Sequence, residues 1–221
     1  QFKQYHLDIT NGNNDFIRQP FHKIVAISFA ECDIDYLSDG TETYYLNEIR
    51  SGGAIDATEA ELVSGFFAKF AKIKPRLVSY NGKYFDLPVL KYRAMLHKVQ
   101  ARALFKSGDK WNSYQARYAH EWHCDLLDAF SDYGASARVK MSEVSALLGI
   151  PSKTSVDGSM VSDLYNQGKI EEIRKYCEED VAGTYAQYLH YQYLNGTLSK
   201  DAFDYCNSDL LKYLGEDDPA S

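Results

Sequence analysis

The sequence predicts an α/β protein with a mixed central sheet flanked by helices. Three observations predict it: a β-branched apolar run near the start, a strand-turn-helix passage in the middle, and a long helix near the end. At 221 residues and 45% apolar content the chain suits one domain, expected to span 1-221.

Each element has a local cause. His22 to Ile34 is apolar and β-branched, which predicts a buried strand, and Thr43-Tyr-Tyr-Leu after the Ser38-Asp-Gly turn predicts its hairpin partner. Thr58-x-x-Glu61 is a capping box. Behind it Leu62, Val63, Phe66, Phe67, Phe70 and Ile73 share one helical face, and Pro75 stops the helix. Leu77 to Tyr80 predicts a short strand ending in an Asn81-Gly82 turn, and Leu87 to His97 a helix with Pro88 in its first turn. His123-Cys-Asp-Leu-Leu predicts another strand, Ser142 to Leu148 a short helix closed by Gly149, and Ile170 to Leu194 a long helix closed near Gly196. Thr197 to Leu214 reads as an extra helix, followed by an acidic tail at Glu216-Asp-Asp218.

Composition narrows the chemistry. A formal charge of -7 argues against a broad basic surface for nucleic acid, although acids that bind divalent metal invert the local field and keep phosphodiester chemistry open. Cys32, Cys124, Cys177 and Cys206 form no C-x-x-C pair, so reduced thiols are expected rather than a disulfide framework or a zinc ribbon. No apolar run is long enough to cross a bilayer and no signal peptide is evident, so the expectation is a cytoplasmic protein without a membrane partner.

Two constellations carry chemistry. Asn81-Gly-Lys-Tyr84-Phe85-Asp86-Leu-Pro88 places a carboxylate where a strand's C-terminal end meets a helix start, the edge at which α/β sheets bind ligands; the alternative is that Asp86 caps the helix. Within the long helix, Tyr176 and Asp180 are four residues apart and share a face, while Glu178 and Glu179 read as a solvated polar face. Asp is a poor residue for a helix interior unless something holds it. Two carboxylates from distant segments would make half of a hard-cation site for Mg²⁺ or Mn²⁺. Lys110-Trp111-Asn112-Ser-Tyr114 with Arg117 interleaves cations and rings as a single-strand track would, or else forms a packed surface loop. Lys153, Arg174 and Lys175 are candidate phosphate contacts. His120-x-x-His123-Cys124 has no second ligand pair for zinc, and Asp125 reads as structural.

These residues resemble the DEDDy group of 3'-5' exonucleases in the ribonuclease H-like fold, specifically the bacterial family related to the proofreading exonuclease domain of DNA polymerase B. Asn81-Gly-x-x-Phe85-Asp86 is similar to that group's second motif and Tyr176-x-x-x-Asp180 to its third. The resemblance continues through His22-Lys-Ile-Val-Ala-Ile-Ser, His123-Cys-Asp-Leu-Leu-Asp128, Leu147-Leu-Gly-Ile-Pro-Ser-Lys153 and Asp157-Gly-Ser159. It implies a two-metal exonuclease acting on the 3' end of single-stranded or frayed DNA, with two Mg²⁺ or Mn²⁺ ions. By the same resemblance Asp86 and Asp180 are metal ligands and Tyr176 orients the attacking water. Asn81, Tyr84 and Phe85 lie where a frayed end would enter.

The group's first motif, Asp-x-Glu, is not found ahead of His22. Leu7-Asp8-Ile9-Thr10 imitates it with a threonine in place of the glutamate. The resemblance therefore makes 1-20 the connection before the second strand and puts the first, central strand upstream of Gln1. Two rival readings follow: a catalytically silent ribonuclease H-like module that binds nucleic acid or protein, and an exonuclease acting on RNA ends. A polymerase or repair partner is left open.

Overall fold

The computed structural model describes residues 2-13, 16-151, 158 and 160-215. Lys153, Asp157, Ser159 and the acidic tail at Glu216 to Asp218 lie outside the described residues. The chain is a mixed α/β protein of small sheets and helices that divides into two compact units, Gln1–Val25 with Gly53–Asp125, and Ala26–Gly52 with Leu126–Ser221.

The first unit opens with α1 (Phe2–Ile9), a helix the sequence reading did not anticipate, and it holds the imitation motif. Asp8 accepts a hydrogen bond from the Gln4 amide at 2.8 Å one turn away, and the Thr10 hydroxyl donates to the His6 carbonyl, so this stretch is helical rather than a strand. Helix α2 (Glu59–Ile73) starts at the predicted capping box, where the Thr58 amide donates to the Glu61 carboxylate at 2.8 Å and the Glu61 amide donates back to the Thr58 hydroxyl. It buries Leu62, Val63, Phe67 and Phe70; Ile73, in the last turn, stays exposed. β3 (Leu77–Ser79) pairs in parallel with β4 (His123–Asp125), Leu77 facing His123 and Ser79 facing Asp125. Between them run α3 (Asp86–His97) and the short α4 (Arg102–Lys106). Buried Glu59 fastens this unit together. Its carboxylate accepts from the Ile24 amide, from Arg93 through Nε and Nη2, and sits 2.9 Å from His97 Nε2. Burial opposes the charge, but these bonds outweigh it and hold Glu59 below its ordinary value.

The second unit is built on an antiparallel hairpin, β1 (Ser28–Tyr36) with β2 (Glu42–Ser51), bulged at Glu31/Cys32. The predicted strand from His22 to Ile34 thus starts six residues later and ends two later. The partner sets the limit: Ser28 faces Ser51, the last residue of β2, so the apolar chain before Ser28 has no β2 residue to pair with. β4 is similarly shorter than predicted, because Leu126 and Leu127 begin α5 (Leu126–Phe130). α6 (Met141–Leu148) ends at Gly149, whose φ of 69° is left-handed. After α7 (Val161–Asn166), α8 (Ile170–Leu194) runs along the hairpin with the predicted bounds, and α9 (Lys200–Leu214) closes the unit. Gln187 ties α8 to α6 by donating to the Met141 carbonyl and the Ser145 hydroxyl, and Tyr213 on α9 bonds both the amide and the carbonyl of Ile49. Among the described residues, no helix is long and apolar enough to cross a membrane.

Candidate active site

In the first unit, Asp86 is presented by a turn that other residues lock. Asn81 adopts φ 64°, which asparagine tolerates better than most residues, and Gly82 is packed so closely that a Cβ there would lie 2.5 Å from Ser79 Oγ. Asp125, 1% exposed, receives the Asn81 amide at 2.9 Å and the Lys83 amide at 2.7 Å, with Ser79 Oγ at 3.4 Å. The structural reading of Asp125 therefore stands: its oxygens are occupied by the turn. Beside it His123 is fully buried, bonded through Nε2 to Ser79 Oγ at 2.8 Å, and burial, reinforced by nearby Lys83, depresses its pKa to about 3. Asp86 is exposed and is the first residue of α3, with Phe85 in the N-cap position, so the alternative of an aspartate N-cap does not describe its placement. Phe85 packs in a ring cluster, 5.6 Å from Phe16 and 5.0 Å from His22 between centroids, while Tyr84 keeps an exposed ring and its carbonyl accepts from Gln19.

The loop that follows α4 divides the predicted contacts. Trp111 is 74% exposed with the Lys110 ammonium 4.8 Å from its ring centre, and the Arg117 guanidinium lies 5.5 Å from the ring of exposed Tyr118. Asn112 belongs to a local turn in which the Asp109 carboxylate accepts the Trp111 and Asn112 amides. Tyr114 departs from the expectation. It is 4% exposed, its ring packs against Phe70 and Trp122, and its hydroxyl donates to the Pro75 carbonyl at 2.7 Å, so it is a core residue and offers no face to a base.

In the second unit, the four-residue spacing does what it predicts: the Tyr176 and Asp180 side chains are hydrogen-bonded on α8. Burial raises the pKa of Asp180 above its ordinary value, the Tyr176 bond works against that rise, and the charge of Glu179 adds to it. A carboxylate that burial disfavours in its charged form is stabilised by a nearby cation. The solvated reading of Glu178 and Glu179 is corrected. Glu178 accepts both the amide and the hydroxyl of Ser51 at 2.7 Å, fastening α8 to the end of β2, and Glu179 Oε2 is buried without a hydrogen-bond partner among the described residues. Their spacing shows only polar residues on a helix; the partner 127 residues away is a tertiary fact. Arg174 reaches the Gly52 carbonyl at 3.4 Å.

A carboxylate at a locked strand-turn-helix in the first unit and a tyrosine-aspartate pair on α8 in the second are oxygen donors of the kind divalent ions prefer. The sequence model of the family described as predicted 3'-5' exonucleases related to the exonuclease domain of PolB matches residues 14-221, and the chain belongs to that family. No curated protein matches it. The donor chemistry fits Mg²⁺ or Mn²⁺, although among the described residues no three His, Cys, Asp or Glu side chains gather into a complete metal site.

Proposed function

We propose that the chain is a metal-dependent 3'-5' exonuclease that shortens single-stranded or frayed DNA, its whole length forming one ribonuclease H-like domain. The observation that carries the proposal is the hydrogen-bonded Tyr176–Asp180 pair, desolvated on α8, in a chain of an exonuclease family. Asp180 and Asp86 would serve as carboxylate ligands for Mg²⁺ or Mn²⁺. Such ions, when bound, lower the pKa of the attacking water and share the charge that develops on the phosphoryl oxygens.

The chain's own residues do the positioning. Tyr176 can donate to Asp180 while its oxygen accepts from water, so its phenol fixes one direction of attack. The turn locked by Asp125 holds Asp86 without a flexible approach. Asn81 and Tyr84, on that same turn, receive the terminal nucleotide, and Lys110, Trp111 and Arg117 hold the strand.

The test is a 5'-labelled oligonucleotide incubated with the full-length protein and Mg²⁺ or Mn²⁺. Loss of nucleotides from the 3' end that Asp180→Asn abolishes is expected; undiminished shortening by Asp180→Asn overturns the mechanism. One observation favours a second reading, a silent binding module: the Asp8 segment that imitates the first motif is helical and cannot serve as its strand. Tight oligonucleotide binding by the full-length protein with no shortening in either metal would select it.

A further inference from the structure

Two stretches of the chain carry opposite charge around exposed apolar side chains. In the first unit, residues 87 to 108 hold five lysines and arginines and no acid. Tyr92, Met95 and Leu96 lie three and four residues apart and so share one face of α3. That face is uncovered: Met95 is 74% exposed, Leu96 59%, and Tyr92 is exposed with them. Of the five cations Arg93 is committed to Glu59. Lys91 sits one turn before Met95, its ammonium 5.5 Å from the centre of the exposed Phe105 ring, and Lys98 follows the last turn. Arg102 and Lys106, with Gln100, Ala101 and Phe105, line a shallow hollow of about 460 Å³, large enough for an aromatic ring.

In the second unit, residues 31 to 48 hold six acids and no lysine or arginine. They form most of the β1–β2 hairpin, whose tip is a braced turn: the Leu37 amide donates to the Thr41 carbonyl at 2.8 Å, and the Asp39 carboxylate accepts both the amide and the hydroxyl of Thr41. The turn presents Tyr36, 72% exposed, and exposed Leu37, with Asp33, Asp35 and Asp39 exposed beside them. Asp33 accepts from the Asn47 amide and Asp35 is bonded to Tyr45, both neutral partners. Exposed Met and Leu side chains gathered on one helix face mark a contact surface. Their aliphatic tips offer no flat face to a base and no donor to a phosphate. An anionic membrane would match α3 and leave the acidic hairpin tip without a role. A partner with an apolar tip among carboxylates matches the face, and this chain carries such a tip.

We propose that the chain self-associates through these unlike surfaces, the hairpin tip of one copy docking on the α3 face of another. Tyr36 and Leu37 pack against Met95, Leu96 and the hollow beside Phe105, while Asp33, Asp35 and Asp39 meet Lys91, Lys98 and Arg102. The contact is heterologous, so it can repeat from copy to copy. Few side chains take part for a standard interface, so the association is weak and charge contributes much of its specificity. Nothing in it depends on the exonuclease reading.

The test is sedimentation velocity of the full chain across about a hundredfold range of concentration. The mean mass is expected to rise with concentration, and the rise to fade between about 0.1 and 1 M salt, where the screening length drops from about 10 to 3 Å. Lys91→Glu with Lys98→Glu, and separately Asp33→Lys with Asp35→Lys, should each weaken association by about tenfold or more, because like charges then meet. Mixed in equal amounts, the two variants should associate again, since each supplies the charge the other lost, and that recovery also shows both to be folded. Leu96→Ser and Tyr36→Ser should each weaken association roughly tenfold. A chain that stays monomeric at every concentration overturns the proposal, as does association that both charge reversals leave intact. Variants that keep the parent's circular dichroism and do not restore one another overturn it too. Should a charge variant fail to fold, unchanged association of Leu96→Ser and Tyr36→Ser overturns it. So does a monomer that binds phosphatidylserine vesicles or an oligonucleotide through Lys91 and Lys98.

Discussion

Two aspartates, one in each unit, show how differently a protein treats the same side chain. Asp125 is almost wholly buried, yet its oxygens accept two backbone N–H groups, so its charge is compensated by the turn it holds. Asp180 is half-buried, is hydrogen-bonded to Tyr176, and feels the repulsion of Glu179. Burial with full compensation builds structure; burial with partial compensation leaves a group whose affinity for a cation or a proton is raised.

The contrast can be broken by exchange of function for stability. Asp180→Asn is expected to cut nuclease activity by more than roughly 100-fold, beyond the loss usual for residues that merely support metal ligands, with the urea midpoint unchanged or raised. Asp125→Ala should do the reverse in kind: it strands the Asn81 and Lys83 amides in a buried turn and costs about 2–4 kcal/mol of stability in urea titration. If Asp125→Ala instead left stability intact while abolishing activity, the division between the two aspartates would fail.

His123 sharpens the scaffold side. Its pKa of about 3 in the fold lies below the ordinary 6.5, so between those values the unfolded chain binds the extra proton. Stability is therefore complete above pH 6.5 and drains as pH falls toward 3, by about 2 kcal/mol on reaching pH 5. His123→Gln should remove that part of the slope in urea midpoints measured from pH 7 to pH 5. The smallest effect is expected at Asp86. Exposed in the first turn of α3, it gains about 0.3–1 kcal/mol from the helix dipole, so Asp86→Ala should shift the thermal midpoint less than Asp125→Ala even where it eliminates cleavage.

Elements governed by their own residues were legible in advance. The capping box at Thr58 and the glycine stop at Gly149 appear where predicted, and the bounds of α8 are those read from its pattern. Extents governed by a partner were not. The opening strand is displaced because Ser51 ends the strand that pairs with it, and Tyr114 looked like a loop ring until Phe70 and Trp122 closed around it. Glu178 was misread for the same reason, since Ser51 is remote in the chain. Phe105 gave no signal of its own, being one aromatic in an ordinary short helix; its exposure and its lysine are visible only in the fold.

The sequence by itself determined that Tyr176 and Asp180 share a face, because helical pitch is a local property and four residues complete about one turn. It also determined that a carboxylate follows the Asn81-Gly82 turn. Only the tertiary structure decided which aspartate is saturated and which is left wanting. Desolvation and hydrogen-bond supply are set by residues brought from far along the chain, as Asn81 and Lys83 are brought to Asp125.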